Sequence, residues 1–121
     1  MSEFETFLKG LSLLKDCVVS QLIWAPEART LRFEIADFYR SFAKLPQYPG
    51  AVGGAIELQK VTRVGFDLDS NENELVIFDF DVETVDGDLS LATITFWPDG
   101  IIRAWHRQAC FPHLNSPGAR S

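Results

Sequence analysis

The chain has 121 residues, 46% hydrophobic and 23% charged, which fits one globular domain of ordinary composition that is long enough to bury a real core. Its formal net charge is −6, and nine acidic residues lie between Phe66 and Asp88 without a single Lys or Arg. Such a stretch repels phosphates, which argues against nucleic acid or an anionic membrane as its target and in favour of a basic partner.

Ten Phe, three Trp and two Tyr supply large apolar area and point to a β-rich domain. The N-terminus is acidic at its start and has no long apolar run, so a signal peptide and a membrane span are not expected and a cytoplasmic location is. Ser2 and Glu5 have capping-box spacing. Phe4, Phe7, Leu8 and Leu11 follow at helical intervals, so a short helix is expected over residues 3–9, ended by Gly10. Residues 17–24 read as a first strand, rich in β-branched side chains. Residues 30–35 alternate, with Leu31, Phe33 and Ile35 on one face and Arg32 and Glu34 on the other.

Residues 37–44 suit a short helical turn within a loop, with Phe38 and Phe42 inward. The Pro- and Gly-bearing run 46–54 excludes regular helix or central strand. Strands are expected over 55–60 and 62–69, with a bulge or bend near Val61 where Lys60 and Thr62 interrupt the apolar face. A polar turn at 70–73 leads into three successive strands, 74–83, 89–97 and 101–111, joined by turn sequences around Gly87 and Gly100. The expected fold is mainly β, an antiparallel meander of about seven strands with one N-terminal helix. Sandwich and strongly curved sheet both remain open. One domain is expected over 1–112, with a disordered polar tail from His113 to Ser121.

Strand alternation places Asp79, Asp81 and Glu83 on one face, opposite Phe78, Phe80 and Val82. It places Arg103, Trp105 and Arg107 together, opposite Ile102, Ala104 and His106, with Trp97 of matching parity nearby. These acidic, basic and aromatic residues are the candidate partner-binding set; a solvated face with internal charge compensation is the plainer reading. Asp67, Asp69, Asn71 and Asn73 open with the spacing of a calcium loop, but Glu72 replaces the turn glycine and Phe78 the bidentate Glu, so an EF-hand is excluded and only a weak site is left. His106 and Cys110 are too far apart along a strand to share a zinc ion. Cys17 and Cys110 each sit in an apolar run and read as reduced core residues. Nucleophile-elbow, Walker and dinucleotide signatures are missing, so no enzyme, catalytic residue or cofactor is expected.

The run Leu14-Lys15-Asp16-Cys17-Val18-Val19, then Ile56 to Val64 and the Phe96-Trp97-Pro98-Asp99-Gly100 hairpin, resembles a group of small bacterial β-proteins, some of them grouped with immunity proteins of polymorphic toxin systems. Lys15 stands where that group usually has His. The resemblance implies a non-enzymatic binding protein, an immunity-type inhibitor of a basic toxin among the options. Two other readings stand beside it: a small-ligand or calcium-binding domain with a pocket near residues 48–54, and a homo-oligomer formed through exposed Trp and Phe.

Overall fold

A computed structural model describes residues 3–46, 48, 50–68 and 75–111. Strand alternation produces one antiparallel sheet of eight strands: β1 (Val18–Ala25), β2 (Thr30–Ile35), β3 (Gly54–Gln59), β4 (Arg63–Asp67), β5 (Leu75–Asp86), β6 (Leu89–Trp97), β7 (Ile101–His106) and β8 (Gln108–Cys110). Their order is β4-β7-β6-β5-β1-β2-β3-β8. The fold is thus mainly β, a single curved sheet rather than a sandwich.

Eight strands replace the expected seven because 101–111 does not run as one. It bends at Arg107 into β7 and β8, just as Lys60–Thr62 divides β3 from β4. Lys60 takes a positive φ of 53°, and Val61, fully buried, donates its N–H to the Arg29 carbonyl at 2.9 Å. The bend read from the sequence near Val61 is therefore real. Because β3 pairs with β8 and β4 with β7, the two bent strands run alongside each other, stitched at the corner by Thr62 N–H to Trp105 O at 2.7 Å and Arg107 N–H to Gln59 O at 3.2 Å. The terminal strands β4 and β8 do not pair with each other, so the sheet curls without closing into a barrel.

One face of that curl holds the core. Leu31, Phe33 and Ile35 of β2 meet Ile56 and Leu58 of β3, Ile77 and Phe80 of β5, Ala92, Ile94 and Phe96 of β6, and Ile102 and Ala104 of β7, all buried. The N-terminal helix α1 (Glu3–Gly10) covers the opening. Its Phe4 ring stands edge-on to Phe80 at 5.8 Å and stacks on Phe111 at 5.5 Å, and Phe7 meets Phe38 at 5.9 Å. Gly10 is the last helical residue, and the left-handed conformations expected of a glycine cap fall instead on Leu13, Leu14 and Asp16. Burial of Leu14 offsets the roughly 1 kcal/mol such a conformation costs an ordinary residue. Ser2, the expected cap, lies outside the described residues.

Three register shifts break the simple alternation, one of them between Thr84 and Asp86 near the end of β5; the other two fall nearer the core. The β1–β2 register shifts between Val19 and Gln21, and the β5–β6 register shifts between Ile77 and Asp79. The second has consequences. A bulge adds one residue without a partner and turns the following side chains over, so Ile77 and Phe80 both face the core and Phe78, between them, faces out. Phe78 is 54% exposed, which corrects its expected place on the apolar face with Phe80 and Val82. Downstream, Gly87 (φ 57°) and Gly100 (φ 124°) provide the left-handed positions of the two meander turns. The turn at 70–73 and the tail from His113 lie outside the described residues. Among those described, no helix is long and apolar enough to cross a membrane.

Candidate functional site

The outer face of β5, β6 and β7 carries the residues singled out from the sequence, and the strand register fixes their neighbours. Asp81 lies opposite Thr93, which lies opposite Arg103; Glu83 is followed across the sheet by Leu91 and Trp105; Asp79 is followed by Thr95 and Ile101. Asp81 and Arg103 are therefore two strands apart, roughly 10 Å between backbones at ordinary strand spacing, and no ion pair joins them among the described residues. Among the described residues no ion pair engages Asp79, Asp81 or Glu83. The outer face elsewhere is different: on β2 and β3, Arg32 binds Glu34 and approaches Glu57 at 3.8 Å.

Not all of the candidate set is free. The Arg63 guanidinium lies over the Trp105 ring, 4.9 Å from its centroid, and Arg107 is paired with Asp88 of the β5–β6 turn. Charge compensation of that local kind accounts for Trp105 and Arg107. It does not account for Trp97, 63% exposed at the end of β6, whose cross-strand partner is Val76. Val76 in turn lies opposite Val18, so one outer row runs Val18, Val76, Trp97. Phe78 emerges beside it, with the Lys15 ammonium 5.4 Å from its ring. Sequence reasoning missed Phe78 because a bulge leaves no mark in composition. The structure brings Asp79, Asp81, Glu83, Phe78 and Trp97 onto one surface, with Arg103 at its β7 side.

A groove of about 1040 Å³ opens at the start of this row, between the β1–β5 pair and residues 36–51. Its floor is small and apolar: Val18, Val76, Ala36, Ala43 and Ala51, with Leu45 and Tyr48 as walls. Asp37, 8% exposed, holds the far wall in place. Its Oδ1 accepts the N–H groups of Tyr39 at 3.0 Å and Val52 at 3.1 Å, and its Oδ2 accepts the Tyr48 hydroxyl. That last bond pushes the Tyr48 phenol above its ordinary value, so it stays a donor. The turn expected over 37–44 is present as a short 3-10 helix at Arg40–Phe42, with Phe38 buried. Asp37 serves as a loop anchor. Arg40 and Lys44 line the groove, and no ion pair among the described residues engages either.

The remaining candidates separate. Asp67 ends β4, and Asp69, Asn71 and Asn73 lie outside the described residues, among which no cluster of three or more His, Cys, Asp or Glu is placed to hold a metal ion. His106 points into the core and Cys110 is exposed, so they face opposite sides of the sheet; His113 is outside the described residues. Cys110 thereby departs from the core position expected of it, while Cys17 is fully buried. Burial pushes the Cys17 thiol up to about 12. One thiol, Cys110, is expected to react with Ellman's reagent in the native protein and the second only after denaturant is added; simultaneous reaction of both would contradict the burial of Cys17.

His106 donates from Nδ1 to the Gln108 carbonyl at 3.1 Å, which leaves Nε2 as a buried lone pair with no partner among the described residues. Burial pushes its pKa below the ordinary 6.5 and keeps the ring neutral in the fold. The unfolded chain then takes up a proton more readily than the folded one. Stability from this group is complete above about pH 6.5 and declines as pH falls through the lower folded value. Urea midpoints should drop on acidification from about pH 7 to about pH 5, and the drop should be shallower in His106→Leu. Parallel pH profiles for the two proteins would rule out His106 as the cause.

Compared with known proteins, the chain matches no family model and no curated protein.

Proposed function

We propose that this protein is a non-enzymatic binding domain that engages a basic protein partner through the outer face of β5 and β6. The observation that carries the reading is the combination on one surface of two exposed aromatic side chains, Phe78 and Trp97, with three carboxylates, Asp79, Asp81 and Glu83, that no ion pair among the described residues engages. Aromatic anchors supply the desolvated centre of a protein interface, and uncompensated charge steers a partner of opposite sign. A basic toxin held by an immunity-type inhibitor is a partner of this kind.

The reading is tested by capture on a tagged copy at low salt followed by a high-salt wash. A basic protein that is retained, released by salt, and lost when Asp81→Lys and Glu83→Lys are introduced together is the expected result. Both positions are exposed, so the double variant should melt with the wild type. Retention that ignores both salt and charge reversal would count against this face.

A further inference from the structure

We infer that the groove between the β1–β5 pair and residues 36–51 is a binding site for a small apolar carboxylate. This goes beyond the protein-binding reading, which uses the acidic half of β5 and leaves the groove unassigned. The argument starts from volume and lining. About 1040 Å³ over a floor of Val18, Val76, Ala43 and Ala51 is the size and character of a small-molecule cleft. Small apolar side chains leave room for an alkyl or aryl group, whose removal from water favours binding.

The polar groups determine the rest of the ligand. Asp37 accepts the Tyr48 hydroxyl and the N–H groups of Tyr39 and Val52, so it and Tyr48 are engaged in holding the wall in place. What remains is Arg40, in the 3-10 turn, and Lys44, just past its cap, both lining the groove and free of ion pairs among the described residues. A planar guanidinium and an ammonium on one lining suit a carboxylate, which can take two parallel hydrogen bonds from an Arg and another from a Lys. Asp16 and Asp37 put two negative charges on the same lining, so the carboxylate has to sit against Arg40 and Lys44 with its apolar part toward Val18 and Val76.

The probe is sodium octanoate, titrated into the ¹⁵N-labelled full chain and followed by amide chemical shifts, with 1-octanol as the uncharged comparison. Saturable shifts at Val18, Val76 and residues 36–51 are expected with octanoate, and at least about tenfold weaker binding with octanol. Arg40→Gln with Lys44→Gln should melt as the wild type does and lose about tenfold in octanoate affinity. Three results would overturn the site: no saturable shift at millimolar octanoate, shifts that centre elsewhere, or equal binding by the double variant. The partner-capture experiment run on that same variant keeps the two readings apart. Capture that survives while octanoate binding fails refutes only the groove, and octanoate binding that survives while capture ignores charge reversal refutes only the acidic face.

Discussion

Phe80→Ala should cost about 3–5 kcal/mol of folding stability, whereas Phe78→Ala, two residues away on the same strand, should stay within about 0.5 kcal/mol of the wild type. Phe80 is fully buried, edge-on to Phe4 at 5.8 Å and to Phe33 at 6.0 Å, so its removal leaves a cavity between the sheet and the helix that covers it. Phe78 loses only a half-solvated ring and its contact with Lys15. Urea denaturation of the two variants measures the difference directly. Similar losses in both would mean that strand β5 alternates without a bulge and that Phe78 belongs to the core. The same pair separates stability from recognition: Phe78→Ala should fold normally and weaken capture of a basic partner, because it removes an anchor without touching the core.

That contrast shows where the chain could be read from its residues and where it could not. Period-two alternation set Leu31, Phe33 and Ile35 on one face of β2 and grouped Asp81 with Glu83 and Arg103 with Trp105; the pairing of β5, β6 and β7 then places both groups on the outer face. The corner at Val61 was legible because Lys60 and Thr62 interrupt an apolar face, and the meander turns because Gly87 and Gly100 are needed at positive φ. Bulges are silent in this language. Ile77-Phe78-Asp79-Phe80 looks like ordinary alternation, and only pairing with β6 decides which Phe goes inward. The bend at Arg107 was silent too, since the run 101–111 has no glycine or proline to mark it.

Long-range pairing was the second blind spot. The β1–β5 contact joins residues more than fifty positions apart through two register pairs, Val18 with Val76 and Val19 with Leu75. Nothing local announces it, yet it sets Val18 and Val76 side by side as the floor of the groove. The groove's wall comes from a loop that composition marked as irregular. The groove's lining has no contiguous motif: a pocket near residues 48–54 was legible in the sequence, and Tyr48 and Ala51 do line it, but the side formed by Val18 and Val76 and the part played by Arg40 and Lys44 were not.

Asp37→Ala should destabilise the protein by about 3 kcal/mol, with the loss concentrated in residues 36–52. Removing the carboxylate strands two backbone N–H groups, those of Tyr39 and Val52, together with the Tyr48 hydroxyl, and each unsatisfied donor costs about 1–3 kcal/mol where water cannot replace the acceptor. Exposure of Tyr48 keeps the total below the sum. Asp37→Asn provides the internal control, because its Oδ1 can still accept both N–H groups and its amide can donate to the Tyr48 oxygen; about 1 kcal/mol is the expected cost. Amide hydrogen exchange then distinguishes a loop anchor from a general core residue. Faster exchange at Phe38 and Val52 in Asp37→Ala, with the β6 and β7 amides unchanged below global unfolding, is the signature of local release. Uniform acceleration throughout the sheet would show instead that the loop and the sheet unfold as one unit, and that Asp37 stabilises the whole curl rather than the wall of the groove.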